Sequence, residues 1–136
     1  MSDDKTPIVL VVEDETLLLQ AITTKLQLNN IRTVSCISGV QALDYLKSIT
    51  EVPDAIWLDY YLRDMNGLEF MQHLKSNPAW SKIPVLVVSN SASSDKVHSM
   101  LALGVRKYLL KAEYRLDEIV EMLIDFINHP LEPEIS

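Results

Sequence analysis

The stretch PIVLVVEDE (residues 7–15) joins an unbroken apolar run to three consecutive acids. A continuous apolar run is typical of a β-strand buried on both faces, as strands of parallel sheets are. Residues 15–29 follow with a helical spacing of apolar side chains, at Leu18, Ala21, Ile22 and Leu26. The stretch therefore predicts a strand–helix unit with charged groups at the junction.

The same unit recurs along the chain. Further apolar runs predict strands over 54–59, 83–89 and 105–110, and the more alternating stretch over 31–37 predicts an edge strand. Helices are predicted after Ser38 and after Asn66, each by a capping-box pattern with Gln41 or Glu69 three residues on. A weaker helix over 94–103 ends at Gly104, and the last helix is marked by Leu116, Ile119, Val120, Leu123, Ile124 and Ile127. Five alternating units predict an α/β fold, a parallel sheet with helices on both faces.

The bulk properties fit one domain and exclude several function classes. The chain has 136 residues, a net charge of −7 and one cysteine, Cys36. The negative charge argues against a nucleic-acid or membrane surface. One cysteine excludes an internal disulfide and a cysteine zinc site. No apolar run is long enough to span a bilayer and the start does not resemble a signal peptide, so we expect a cytoplasmic location.

Polar residues follow the apolar runs where ligands bind in open parallel sheets, beyond the carboxyl ends of the strands. They are an acidic cluster at 13–15, Asp59, Ser89 to Ser91, and Lys111. Carboxylates this close repel one another unless a cation or a proton intervenes. Oxygen ligands without histidine or cysteine favour Mg²⁺. Such a site suits phosphoryl transfer, with an aspartate as nucleophile.

At four places the chain resembles the receiver domains of two-component response regulators. They are VVEDE (11–15), LDYYLRDMNG (58–67), VLVVSN (85–90) and GVRKYLLK (104–111), in this order and at these spacings. The resemblance covers about residues 8–128 and implies a flavodoxin-like, doubly wound (βα)5 sheet with strand order 2-1-3-4-5. We expect a single domain over 1–136, with a core over about 7–128 and a loose tail or linker over 129–136.

The resemblance implies a role for each matched residue around the acids. Asp59 matches the phosphoacceptor, which receives a phosphoryl group from a histidine kinase, a phosphotransfer protein or a small donor. Glu13 and Asp14 match the acidic pair that holds Mg²⁺, or Mn²⁺ in its place, together with Asp59 and the backbone carbonyl of Tyr61. Lys111 matches the lysine that binds the phosphoryl oxygens. The chain would catalyse only its own phosphorylation and dephosphorylation, so we do not expect a conventional enzyme.

Other matched residues would transmit or time the signal. Ser89 matches a hydroxyl that also binds the phosphoryl group, and Tyr108 an aromatic that turns inward with it. Tyr61 and Ser91 lie at positions that influence dephosphorylation. The implied outcome is a remodelled face of helix 4, strand 5 and helix 5, which a downstream protein or a second copy reads.

Three residues depart from the family pattern, one of them Asn90, which stands where a small Ala or Gly is common. Ala112 stands where family members have a proline, which a cis peptide bond joins to the lysine. A cis bond before a residue other than proline costs about 2.5–4 kcal/mol. The Lys111–Ala112 bond is therefore either trans, or cis and strained. Arg63 replaces a proline in the loop after the acceptor.

Three other functions have to be compared with this one. A haloacid-dehalogenase-like phosphatase needs an acid where Tyr61 stands, and a nucleotide- or flavin-binding domain needs a phosphate loop where the acids at 13–15 would repel phosphate. A receiver fold acting as an interaction module without phosphorylation stays open, because of Ala112. The chain is either a single-domain receiver or part of a longer protein.

Overall fold

The computed structural model describes residues 6–49 and 51–129. Five strands and five α-helices alternate along this part of the chain, with one turn of 3-10 helix (Lys111–Glu113) after the last strand. The strands are β1 (Ile8–Val12), β2 (Arg32–Cys36), β3 (Ala55–Asp59), β4 (Val85–Ser89) and β5 (Lys107–Leu110). The helices are α1 (Thr16–Leu28), α2 (Gly39–Ser48), α3 (Gly67–Lys75), α4 (Ser94–Ala102) and α5 (Leu116–Asn128).

All neighbouring strands pair in parallel, in the order β2-β1-β3-β4-β5. The predicted flavodoxin-like doubly wound fold is therefore confirmed. Because β1 and β3 are central, the loops after them meet in the middle of the carboxyl edge of the sheet. The register pairs Val12 with Leu58, so Glu13 and Asp59 leave adjacent strands side by side.

The sheet separates two apolar layers. One layer packs the sheet against α2, α3 and α4, and its fully buried members include Phe70, Leu74 and Met100. The other packs it against α1 and α5, around Ile22, Leu26 and Leu123. The three inner strands β1, β3 and β4 are buried along their whole length, which explains their continuous apolar sequences.

Two local predictions are wrong in detail. Helix α1 buries Leu19, Ile22 and Leu26, whereas Ala21 is exposed and Leu18 is only partly buried. Three successive leucines at 17–19 leave the phase of the helix ambiguous, and packing against the sheet selects the phase that turns Leu19 inward. At α2, the Ser38 side chain accepts from Gln41 N as predicted, but Gln41 Oε1 accepts from Ile37 N at 2.7 Å, one residue before the cap.

Other helix ends follow the sequence closely. At α3, Asn66 and Glu69 form the predicted capping box, each side chain accepting from the other's backbone N–H at 2.9 and 3.0 Å. Gly104 follows α4 with φ of 96°, a left-handed conformation that glycine adopts without strain. Within 6–49 and 51–129, no helix is both long and apolar enough to cross a membrane. Most of the predicted tail lies outside the described residues.

Candidate functional site

Three carboxylates converge at the carboxyl edge of the sheet. Glu13 and Asp14 follow β1, Asp59 ends β3, and one oxygen from each lies within 4.8 Å of the others. Glu13 is fully buried and Asp59 is 3% exposed, whereas the side chain of Asp14 keeps 17% exposure. The pocket is therefore a buried acidic pair with a third acid at its opening.

The amine of Lys111 lies among these acids. Its Nζ is 3.5 Å from Glu13 Oε1, 3.7 Å from Asp59 Oδ2 and 3.7 Å from Glu15 Oε2. The Lys111–Ala112 bond is trans, as are the other peptide bonds of the described residues. The open question of this bond is thus resolved: the short 3-10 turn that begins at Lys111 brings the amine to the acids without a cis bond.

Backbone groups and burial complete the surroundings of the pair. Tyr61 N donates to Asp59 Oδ1 at 3.3 Å, and Glu15 N donates to Glu13 Oε2 at 3.3 Å. Within the described part of the chain, neither Glu13 Oε1 nor Lys111 Nζ has a hydrogen-bond partner, although both are buried. Buried polar atoms without partners are uncommon and indicate that a further group belongs at the site.

The pocket favours neutral acids in the absence of such a group. Burial, and then the charge of Asp59, raises the pKa of Glu13 to about 7 against the opposing effect of Lys111. Burial also raises the pKa of Asp59 to about 6, with Lys111 opposing and the carboxylates of Asp14 and Glu15 reinforcing the rise. The single positive charge of Lys111 is therefore insufficient to keep both acids ionised.

These raised pKa values predict that stability falls as the pH rises. An acid whose pKa is higher in the folded protein holds its proton more tightly there, so folding loses free energy above the unfolded pKa. We expect the free energy of unfolding in EDTA to fall by on the order of 2 kcal/mol between about pH 4.5 and 7. Urea unfolding across this range measures it. Asp59→Asn should flatten the profile, and an equal slope in both proteins would contradict the prediction.

A second set of hydrogen bonds, all made by Ser91, links three βα units. Its N–H donates to Ser89 Oγ at 3.3 Å, and its carbonyl accepts from Tyr108 OH at 3.0 Å. Its hydroxyl donates to Tyr61 OH at 3.4 Å. Ser89 is fully buried, whereas Tyr61 is 43% exposed. The structure thus joins all four residues that the sequence predicts to switch or time the signal.

Three neighbours of the site were not given roles by sequence reasoning. Tyr60, directly after Asp59, is 5% exposed and lies 4.8 Å from the Tyr61 ring and 6.1 Å from the Tyr108 ring, centroid to centroid. The amine of Lys96 on α4 lies 4.5 Å from the centroid of Tyr61. Arg63 Nε is 3.9 Å from Asp14 Oδ2. A tyrosine and a lysine have ordinary packing roles in any sequence, so only the fold shows that these residues border the site.

A family model described as the response regulator receiver domain matches residues 9–124. The chain belongs to this family. Two-component response regulator ORR8 of Oryza sativa subsp. indica is 31% identical over 105 residues, which cover 77% of this receiver domain and 86% of that protein. The KDP operon transcriptional regulatory protein KdpE of Escherichia coli (strain K12) is 36% identical over 104 residues, which cover 76% of this chain but 44% of KdpE.

Solved receiver domains have the same architecture. The receiver domain of the Francisella response regulator 1452 superposes with a TM-score of 0.81 at 25% identity, covering 93% of this chain and all of that one. The phosphorylated cyanobacterial phytochrome response regulator RcpA gives a TM-score of 0.77 at 25% identity, covering 96% and 98% of the two chains.

The acidic pocket of this receiver domain fits a divalent cation. It offers three carboxylates and no nitrogen or sulfur ligand within the cluster, a donor set that Mg²⁺ and Mn²⁺ prefer. The buried Glu13 Oε1 lacks a partner that a cation would supply. Glu13, Asp14 and Asp59 are therefore the residues that would hold it. The contribution of the Tyr61 carbonyl stays a prediction.

Proposed function

We propose that this receiver domain accepts a phosphoryl group on Asp59, from the phosphohistidine of a histidine kinase or of a phosphotransfer protein. The observation that supports this most directly is the position of the Asp59 carboxylate, 3.7 Å from the Lys111 amine and within the cluster of Glu13 and Asp14. A buried nucleophile beside a fixed cation is the arrangement that phosphoryl transfer needs, since its catalysis is mainly positioning and charge neutralisation.

In the proposed step, a carboxylate oxygen of Asp59 forms a bond to phosphorus while the bond from phosphorus to the donor's imidazole nitrogen breaks. The nitrogen keeps the electron pair. Bound Mg²⁺, or Mn²⁺, would supply charge neutralisation for the phosphoryl oxygens. Lys111 supplies a further positive charge, and the Tyr61 N–H holds Asp59 Oδ1 in place. The chain acts on no separate substrate; it catalyses its own phosphorylation and dephosphorylation.

We further propose that Ser89 and Tyr108 convert phosphorylation into a change of surface. Asp59 pairs in register with Val88 of β4, and Ser89 is the next residue. The Oγ of Ser89 accepts from Ser91 N. If the hydroxyl of Ser89 turns to a phosphoryl group, the Ser91 loop and the Tyr108 hydroxyl bound to it lose their present contacts. The altered face of α4, β5 and α5 would bind a downstream protein or a second copy. The proposed setting is the cytoplasm.

Mass spectrometry tests the central proposal. Wild type incubated with Mg²⁺ and acetyl phosphate should gain one phosphoryl group, and EDTA should prevent the gain. Trp57 is 1% exposed and lies two residues before Asp59 on β3, so its fluorescence should report Mg²⁺ and beryllium fluoride binding. The alternative, an interaction module that works without phosphorylation, is the conclusion if no phosphate mass appears with any donor.

The side chain of Tyr61 is expected to prolong the phosphorylated state. Its hydroxyl is joined to Ser91 and its ring lies beside Lys96, so the ring is held next to the acceptor, where it would hinder an attacking water. Tyr61→Ala should speed phosphate loss by about three- to tenfold. Decay of the phosphorylated protein after donor removal measures this. Tyr61→Phe keeps the ring and should change the rate less; equal rates for wild type and Tyr61→Ala would refute the idea.

A further inference from the structure

The charge around Asp59 opposes the approach of an anionic donor. Four carboxylates, of residues 13, 14, 15 and 59, surround the site, and Lys111 lies among three of them. Its side chain is only 14% exposed, so little of its charge faces the solvent. A dianion that approaches from outside meets the carboxylate of Glu15, whose side chain is 56% exposed, before it meets this amine, and Asp14, at 17%, is about as accessible as the amine itself.

Arg63 places a second cation at the opening. Its Nε lies 3.9 Å from Asp14 Oδ2, beyond hydrogen-bonding distance, and its side chain is 76% exposed. An ion pair at this distance, with one partner largely in solvent, holds that partner weakly. The guanidinium can therefore leave Asp14 at little cost, and its planar set of donors matches the oxygens of a phosphate.

The backbone on both sides of Arg63 is fixed. Leu62 N donates to Met65 O at 3.2 Å, which closes the loop across Arg63. The carboxylate of Asp64 accepts from Gly39 N at 3.0 Å and from Val40 N at 2.8 Å, which ties the loop to the start of α2. The loop thus presents an exposed cationic side chain from a held backbone, four residues after the acceptor.

We propose that Arg63 is a specificity-determining residue that recruits dianionic phosphodonors, such as acyl phosphates, to the opening above Asp59. The inference rests on the proposed phosphorylation of Asp59 and specifies the class of small donor it uses. With a divalent cation bound, four carboxylates, Lys111 and Arg63 balance in formal charge, whereas without Arg63 the site keeps a net negative charge. A monoanionic donor is attracted less strongly by the Arg63 guanidinium than a dianion is.

Two small donors of different charge test the proposal. Acetyl phosphate is a dianion at neutral pH, and phosphoramidate is a monoanion. Arg63→Ala should raise the acetyl phosphate concentration for half-maximal phosphorylation about three- to tenfold, with the saturated rate kept and a smaller change for phosphoramidate. Arg63→Lys should retain most of the preference, and Arg63→Glu should weaken acetyl phosphate use further than alanine does.

Controls separate this role from a structural one. Lys82→Ala removes the same charge from an exposed residue before β4, at the opposite edge of the sheet, and should leave both donors unaffected. Mg²⁺ affinity, read from Trp57 fluorescence, should be unchanged or tighter in Arg63→Ala, because a cation beside Asp14 has gone. Weaker Mg²⁺ binding, equal losses for both donors, or no change with acetyl phosphate would overturn the proposal. If wild type takes phosphate from neither donor, it is the phosphoacceptor function that fails.

Discussion

Replacing Asp59 with asparagine should reduce phosphorylation by any donor to below detection while it stabilises the fold at neutral pH. Asparagine keeps the shape of the side chain, but its amide oxygen is too weak a nucleophile to displace a phosphoryl leaving group. The substitution also removes a buried negative charge beside Glu13. The pKa of Glu13, which burial and then the charge of Asp59 raise, should then fall part of the way toward its ordinary value. We expect a gain of about 1 kcal/mol in the free energy of unfolding at pH 7 in EDTA.

Two measurements check this prediction together. Mass spectrometry after acetyl phosphate and Mg²⁺ reads phosphorylation, and urea unfolding reads stability. Asp44→Asn is a matched control, because Asp44 is exposed on α2 and should change neither quantity. Phosphate gain in Asp59→Asn would place the acceptor elsewhere. A loss of stability at pH 7 would show that the charge of Asp59 stabilises the folded protein and that the pKa of Asp59 is not raised.

The arrangement of the acids was predictable from a general rule together with the strand order that the resemblance implies. In a parallel sheet all strand ends meet at one edge, and that order puts the first strand beside the third. Glu13 and Asp59 therefore converge without any knowledge of loop conformation. The phase of α1 was harder, since leucines at 17–19 allow two inner faces and only the packing against the sheet chooses Leu19.

Contacts between side chains of different βα units could not be predicted from the sequence. Ser91 joins Ser89, Tyr61 and Tyr108, which belong to three different βα units, and no spacing along the chain encodes such a meeting. The same holds for Arg63, of which the sequence shows only that it stands where the family pattern has a proline. That residue became interpretable once the loop placed its guanidinium beside Asp14.

The loss of Lys111 should damage both chemistry and stability, and the pH should separate the two effects. Lys111→Ala removes the cation that lies within 4 Å of Glu13, Glu15 and Asp59. Phosphorylation should slow by about 10²- to 10³-fold, as when one electrostatic contact to a reacting oxygen is deleted. The free energy of unfolding in EDTA at pH 8 should fall by on the order of 3 kcal/mol, because buried carboxylates lose their counter-ion.

This stability loss should shrink at pH 5. Lys111 lowers the pKa of both Glu13 and Asp59, so its removal raises them further and the acids stay protonated, and thus neutral, to a higher pH. Below these pKa values no uncompensated charge is buried, and the variant approaches wild type. Added Mg²⁺ should restore part of the stability at pH 8, since the same carboxylates would bind it.

Lys107→Ala is the matched control, because it removes an exposed lysine from β5 and so changes the net charge by the same amount as Lys111→Ala. Urea unfolding at pH 5 and pH 8, with and without Mg²⁺, gives the four free energies for each protein. A stability deficit in Lys111→Ala that is equal at both pH values would mean that the lysine stabilises the fold through the packing of its aliphatic chain. A deficit confined to high pH, together with slow phosphorylation, identifies the amine as the charge that lets two buried acids coexist at the site of phosphoryl transfer.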